Sequence, residues 1–305
     1  MTGVLRAGMV GLDTSHCQAF LEVLHDPANP YSVSGVQVTG VYPGGSEQFS
    51  LSRERVQKFS AEIENRYHIR AYPNISDLAN DVDVLFLTSV DGRQHPDQFA
   101  QMAVGKPVFI DKPFAVSTDG AAAMLRIAAQ TATPVMSCSS LRFAQGIAEL
   151  AQVRAGIAAC QAYGPAPILA DYPGFFWYGV HSAEMLYLLM GGGCQSVRTF
   201  AAGNMDVICG TWLDGRSGQV LGMHSPGYEF GCLVHTGKGA RLGVAVDTPP
   251  FHACLAREIV RFFQSGQSPV DLRETFEIVA FLEAANQSRA ADGSPVALVG
   301  LPSNR

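Results

Sequence analysis

The sequence predicts an α/β fold: an N-terminal doubly wound parallel sheet (Rossmann-like), then a C-terminal α+β domain with an open, mostly antiparallel sheet. Three observations predict it. Short apolar runs alternate with helical patterns through the first 140 residues, too far apart to pair as hairpins. Beyond that point, strand-like runs are joined by turn dipeptides instead. The chain of 305 residues is long enough for two cores, and 47% hydrophobic with 16% charged residues is a globular composition. The expected domains are 1–140 and 141–305.

The elements follow in order. "LRAGMVGL" (5–12) is a first strand entering a turn, and "HCQAFLEVLH" (16–25) has helical spacing, with Ser15 as its expected N-cap. "VQVTGVY" (36–42) is a second strand ending at "PGGS", and a charged helix follows over roughly 54–67. "DVDVLFLTS" (81–89), "PVFIDKPFA" (107–115) and "TPVMSCSS" (133–140) read as buried strands. The helices between them are "PDQFAQMAVGK" (96–106) and "TDGAAAMLRIAAQ" (118–130). In the second half, "VHSAEMLYLLM" (180–190) is a helix stopped by three glycines. "MDVICGTWL" and "GQVLGMHS" are strands bridged by "DGRSG", and "FGCLVHT" and "ARLGVAV" are strands bridged by "GKG". Helices over 254–266 and 272–288 complete the pattern.

Composition excludes several classes of function. The net charge of −6 is spread along the chain without a Lys/Arg cluster, which argues against nucleic acid as a partner. Every apolar run stops well short of the ~20 residues of a membrane span, and the start lacks a signal-peptide pattern. Seven scattered cysteines without a CxxC pair point to reduced thiols in a cytoplasm, with no zinc site or disulfide framework.

The turn "GLDTSH" (11–16) stands where a dinucleotide-binding fold carries its glycine-rich loop, yet only Gly11 of three glycines is present. Asp13 sets a carboxylate beside a site for two phosphates, a repulsive arrangement unless the side chain turns away to cap the helix. Thr14 and Ser15 keep hydroxyl and backbone donors at the helix N-terminus. His16 adds bulk and a charge that could offset Asp13. Asp13 with His16, or His181 with Glu184, lacks a clustered third ligand, so no metal site is expected. Lys112 follows a strand's carboxyl end, where a doubly wound sheet places its ligand crevice. His181 opens a helix, and Glu184 lies on the same helix face, either to orient the imidazole or to meet solvent.

These residues carry a resemblance. The stretch "AYPNISDLANDVDVLFLTSVDGRQHPDQFAQMAVGKPVFIDKPFAVS" (71–117), the segment "LRFAQG" (141–146) and the Gly-x-His of "YGVHSAEMLYLLMG" (178–191) resemble the Gfo/Idh/MocA family, the glucose–fructose oxidoreductase and inositol dehydrogenase relatives. The resemblance implies NAD or NADP at the strand ends, held by the turn residues Gly11, Asp13, Thr14, Ser15 and His16 together with Ser89, His95 and Asp111. It implies Lys112 and His181 as the catalytic pair, and a carbohydrate-like small-molecule substrate near Arg142, Asp171, Trp177, Tyr178 and Glu184. It also implies a homodimer or homotetramer built through the second sheet.

Two departures matter. The family's aspartate four residues before the active histidine is Trp177 here, which leaves Asp171 and Tyr178 as candidate replacements. The acid that holds the adenine ribose at the end of the second strand is absent from Pro43-Gly44-Gly45-Ser46, so NADP is as plausible as NAD. The expected function is an NAD(P)-dependent oxidoreductase acting on a hydroxyl of a sugar, cyclitol or related polyol. The alternative is a non-redox carbohydrate lyase, isomerase or binding protein with a weakened nucleotide site.

Overall fold

The alternation of the first half becomes a parallel sheet in the computed structural model, which describes residues 3–225 and 227–301. The outer ends of the two expected domains, 1–2 and 302–305, lie outside the described residues. In order the elements are β1 (Leu5–Val10), α1 (Ser15–His25), β2 (Val36–Tyr42), α2 (Ser50–Tyr67), β3 (Arg70–Ala71) and α3 (Ile75–Asp81). Then come β4 (Val84–Leu87), α4 (His95–Met102), β5 (Val108–Ile110), α5 (Thr118–Gln130) and β6 (Val135–Ser137). The strand order is β3-β2-β1-β4-β5-β6, with every pair parallel. The order reverses between β1 and β4, and such a reversal opens a crevice at the strands' carboxyl ends. Every residue of β4, β5 and β6 is buried, which is why these runs are continuously apolar instead of alternating.

The second half contains α6 (Gln145–Ala151), β7 (Ile157–Pro165), α7 (Gly179–Met190), β8 (Cys194–Ala202), β9 (Met205–Trp212) and β10 (Ser217–Met223). It continues with β11 (Gly231–Thr236), β12 (Gly239–Val244), α8 (Phe251–Ser265), α9 (Leu272–Ala290) and β13 (Val296–Ala297). The sheet order is β12-β11-β7-β10-β9-β8-β13, antiparallel throughout except for the parallel pair β7–β10. Helix α7 packs on this sheet with all residues but Leu188 buried, so it is apolar on nearly every side. Its end is fixed by the Glu277 carboxylate, which accepts from the N–H groups of Gly193 (2.7 Å) and Cys194 (2.7 Å) just past the glycines.

The chain forms two compact units. The first holds the residues through Ala115, with Asp119–Cys138 and His252–Leu272; the second holds Val116–Thr118, Ser139–Phe251 and the residues from Arg273. Helix α8 thus packs in the first unit, with Phe263 edge-on against Phe86 of β4 at 5.1 Å between centroids. Three local expectations are corrected. Thr14, in extended backbone, caps α1 by accepting from His16 N–H, because Ser15 is already helical. Helix α2 starts at Ser50, ahead of the charged stretch. The buried strands are shorter than their apolar runs: β4 ends at Leu87 and β5 at Ile110, with the N–H groups of Thr88 and Asp111 making the last bonds to the neighbouring strands.

Candidate functional site

At the carboxyl ends of the first sheet, Gly11 leaves β1 with φ +91°, and a Cβ there would fall 2.3 Å from Ser89 N. Only glycine fits. Its N–H donates to the Tyr42 carbonyl at 2.9 Å, and that of Leu12 to the Pro43 carbonyl at 2.8 Å, which ties the turn to the end of β2. Asp13 is fully buried, its carboxylate accepting from Val90 N–H at 2.9 Å and Ser52 Oγ at 2.6 Å. Burial pushes its pKa up, against the hydrogen bonds from Ser52 and Val90. The carboxylate therefore faces inward and does not crowd a phosphate; the repulsion expected from the sequence is removed, although Thr14 and not Asp13 is the cap. The network runs on: Ser52 Oγ accepts from Ser46 N–H at 2.7 Å, and Ser46 Oγ donates to Asp91 at 2.6 Å. Arg93 Nε then donates to Asp91 at 2.8 Å. Burial alone would raise the Asp91 pKa, but Arg93 and Ser46 outweigh it and hold it low.

The turn after β5 is ionic instead. His16 swings onto it, its Nδ1 at 2.6 Å from an Asp111 carboxylate oxygen. Burial opposes the Asp111 charge, yet His16 and Lys112 hold its carboxyl well below the usual range. Lys112, next to a cis proline bond, is buried; that burial lowers its pKa, with Asp111 pulling it back up. The bulk of His16 is absorbed by packing edge-on against His252 of α8 at 4.5 Å between ring centroids. Burial, with the charges of His16 and Lys112, brings His252 down to about 3, so its imidazole is neutral at physiological pH. His95 is fully buried, with both ring nitrogens against carbonyl oxygens, those of Phe114 (3.1 Å) and Ser89 (2.8 Å). It joins the turns after β4 and β5 and offers no ring nitrogen to a ligand.

These donors suit a dinucleotide. Gly11 leaves no side chain between the turn and an approaching phosphate, and α1 opens at Ser15 with its N-terminal N–H groups. Beside them the Ser89 hydroxyl is buried without a partner among the described residues. The end of β2 supplies no acid.

In the second unit, His181 lies in the first turn of α7, its Nδ1 at 2.7 Å from Ser139 Oγ. That bond sets the ring's orientation and tautomer. Tyr178 and Phe230 stand edge-on to the imidazole at 5.5 and 5.4 Å and stack on each other at 17° between planes. Trp177 packs against Tyr172 and Tyr178, so it extends an aromatic wall. Asp171 is half-buried in the turn before it. Glu184 neither meets solvent nor pairs with the imidazole. It accepts from Arg142 Nε, while Arg142 reaches Glu274 of α9 at 2.6 Å. Burial raises the Glu184 pKa and Arg142 opposes it. Arg142 and Glu184 are both buried, so they brace α7 from within.

Sequence reasoning did not reach Ser46, Ser52, Asp91, Ser139, Phe230, His252 or Glu274. Only Ser139 had a local signal: it caps the short 3₁₀ turn Ser140–Phe143 by accepting from Leu141 N–H, a role its type and position announce. Among the described residues, no three His, Cys, Asp or Glu side chains gather as a metal site.

Residues 5–138 match the model of an oxidoreductase family with an NAD-binding Rossmann fold, Gfo/Idh/MocA. Among solved structures, myo-inositol dehydrogenase from Lactobacillus casei, in complex with NAD(H) and myo-inositol, aligns over 99% of this chain and 98% of its own, at 16% identity and a TM-score of 0.77. GenD2 from gentamicin A biosynthesis, in complex with NAD, aligns over 98% of each chain at 17% identity and TM-score 0.78. Apo scyllo-inositol dehydrogenase from L. casei aligns over 97% of this chain and 99% of its own, at 12% identity and TM-score 0.78. At these identities the likeness is one of fold. No curated protein matches the sequence.

Proposed function

We propose, from the match of residues 5–138 to the Gfo/Idh/MocA oxidoreductase family, that this protein is an NAD(P)-dependent dehydrogenase acting on a hydroxyl of a sugar, cyclitol or related polyol. The supporting observation is the buried lysine beside a buried carboxylate at the end of β5, within the matched segment. Burial makes the Lys112 ammonium more acidic than usual, so its Nζ both holds a substrate oxygen and exchanges a proton with it. His181, with Nδ1 fixed by Ser139, is the second proton-handling group. The nicotinamide supplies the hydride acceptor. Gly11, Thr14 and Ser15 receive its pyrophosphate at the start of α1, beside Ser89, while Asp13 braces the turn from below. Trp177 and Tyr178 offer aromatic faces on which the apolar side of a sugar ring stacks. The myo-inositol complex among the similar solved structures supports the cyclitol end of this substrate range.

The same reading includes a homodimer or homotetramer. Phe200 and Leu242 of the second sheet are 47% and 63% exposed, apolar area of the kind that a second copy covers. Light scattering that finds only the 32.6 kDa monomer at micromolar concentration would remove this part.

The deciding experiment incubates the purified protein with inositols and aldoses and each oxidised dinucleotide, following reduced nicotinamide by absorbance. Dehydrogenase activity on one of these polyols is expected. Calorimetry showing no binding of either dinucleotide would sink the reading in favour of a non-redox member.

A further inference from the structure

We propose that this protein selects NADPH over NADH, by a cation where an NAD site has an acid; the inference rests on the cofactor reading above. In an NAD site a carboxylate at the end of the second strand accepts from the adenosine ribose 2′-hydroxyl, whereas an arginine nearby accommodates a 2′-phosphate. Here β2 ends at Tyr42 and runs through Pro43, Gly44 and Gly45, the glycines at φ +69° and +111°, to Ser46. This loop adjoins the phosphate turn: a Cβ on Gly44 would lie 3.4 Å from the Gly11 Cα. It offers no acid at the strand end.

The carboxylate at this corner is Asp91, and it is enclosed, its side chain 1% exposed. Its oxygens accept from Ser46 Oγ (2.6 Å), Arg93 N–H (3.0 Å) and Arg93 Nε (2.8 Å), so little acceptor capacity remains for a ribose. Above it lies the Arg93 guanidinium, 28% exposed. Gln94 Nε2 donates to the Gly45 carbonyl at 2.9 Å and holds the loop after β4 against the loop after β2, so that guanidinium stays at the ribose end. Arg53, in the second turn of α2, folds back onto the Glu47 carbonyl, adding a second cation over the same loop. The acid Glu47 is exposed, in the turn that follows Ser46. The partly exposed Arg93 side chain, its Nη2 buried, thus keeps a cation at this corner beside a neutralised anion, and a guanidinium binds phosphate oxygens through charge-assisted N–H bonds.

Fluorescence titration of the purified protein with NADPH and NADH tests this by binding alone. NADPH is expected to bind about tenfold to a hundredfold tighter, the range of one or two charge-assisted hydrogen bonds. Arg93→Gln should erase most of that margin and leave NADH affinity within about twofold. Pro43→Asp, which places an acid at the strand end with the Asp91 pair intact, should reverse the preference, and it covers the case in which Arg93→Gln fails to fold. NADH binding as tightly as NADPH overturns the preference and leaves the dehydrogenase reading standing, as does loss of NADH affinity in Glu47→Gln. If neither dinucleotide binds, both readings fall together.

Discussion

Two turns at the same sheet edge each bury an aspartate, and the two carboxylates behave oppositely. Asp13, after β1, is surrounded by neutral donors, a backbone N–H and a serine hydroxyl; burial wins and its pKa rises. Asp111, after β5, is as buried but has His16 and Lys112 beside it; the charges win and its pKa falls. Burial alone therefore does not decide the ionisation of these two carboxylates. The charge of their first neighbours does. The first turn is held by neutral hydrogen bonds and the second by charges.

That division is sharpest at Lys112. Lys112→Ala should cut turnover by about 10²–10⁴-fold, the usual cost of a lost proton-transfer group, in a protein that circular dichroism still shows folded. Near-normal turnover in this variant would place the chemistry elsewhere. Asp13→Ala should do the reverse. It strands Val90 N–H and Ser52 Oγ, at a cost of about 1–3 kcal/mol in urea unfolding. Because the carboxylate faces inward, the same variant should not bind dinucleotide more tightly; a clear gain in affinity would revive the repulsion argument and break the comparison.

The acid limb of stability carries a subtler sign. Asp111, depressed in the folded state, contributes stability that is complete above the ordinary carboxylate pKa of about 3.9 and is lost as pH falls toward its folded value. Asp13, raised when folded, contributes below about 3.9 and loses that contribution as pH climbs through its folded value. Asp111→Asn should thus flatten the loss of stability between neutral and acid pH, and Asp13→Asn should steepen it, both read from urea midpoints across pH. Identical slopes for the two variants would erase the distinction. The smallest effect belongs to the second unit: Ser139→Ala removes the partner of His181 Nδ1 and should lower kcat by about threefold to tenfold, worth ~0.5–1.5 kcal/mol. A KM change with kcat intact would mean that the hydroxyl serves packing alone.

The sequence announced the parallel sheet because β4, β5 and β6 are apolar on both faces, and it drew attention to Lys112 and His181 because their motifs are local. What it could not carry was direction. Nothing in "GLDTSH" says that Asp13 turns under the strand end toward Ser52, 39 positions away, or that His16 reaches Asp111, 95 positions away. Glu184 shows the same limit. Three residues from His181 on one helix, it looked like an orienting group, yet Arg142, from a distant segment and itself held by Glu274, claims it from the other side. The parallel β7–β10 pair also escaped a local reading, since β7 and β10 are far apart in the chain and no hairpin joins them. Long-range polar pairing is written in the fold and only weakly in the order of residues.

Helix α8 has a consequence for how this molecule is made. The first unit begins at the amino end, yet its core is closed by residues that follow all but the last strand of the second sheet: Phe263 against Phe86, Val260 and Gln264 against Gly35, His252 against His16. During synthesis the ribosome must extend the chain past Ser265 before those surfaces meet their partner. Until then the nascent first unit displays an unfinished apolar flank, a hazard for self-association and a natural point of chaperone dependence. A gene fragment cut at residue 140 would encode that unfinished state permanently.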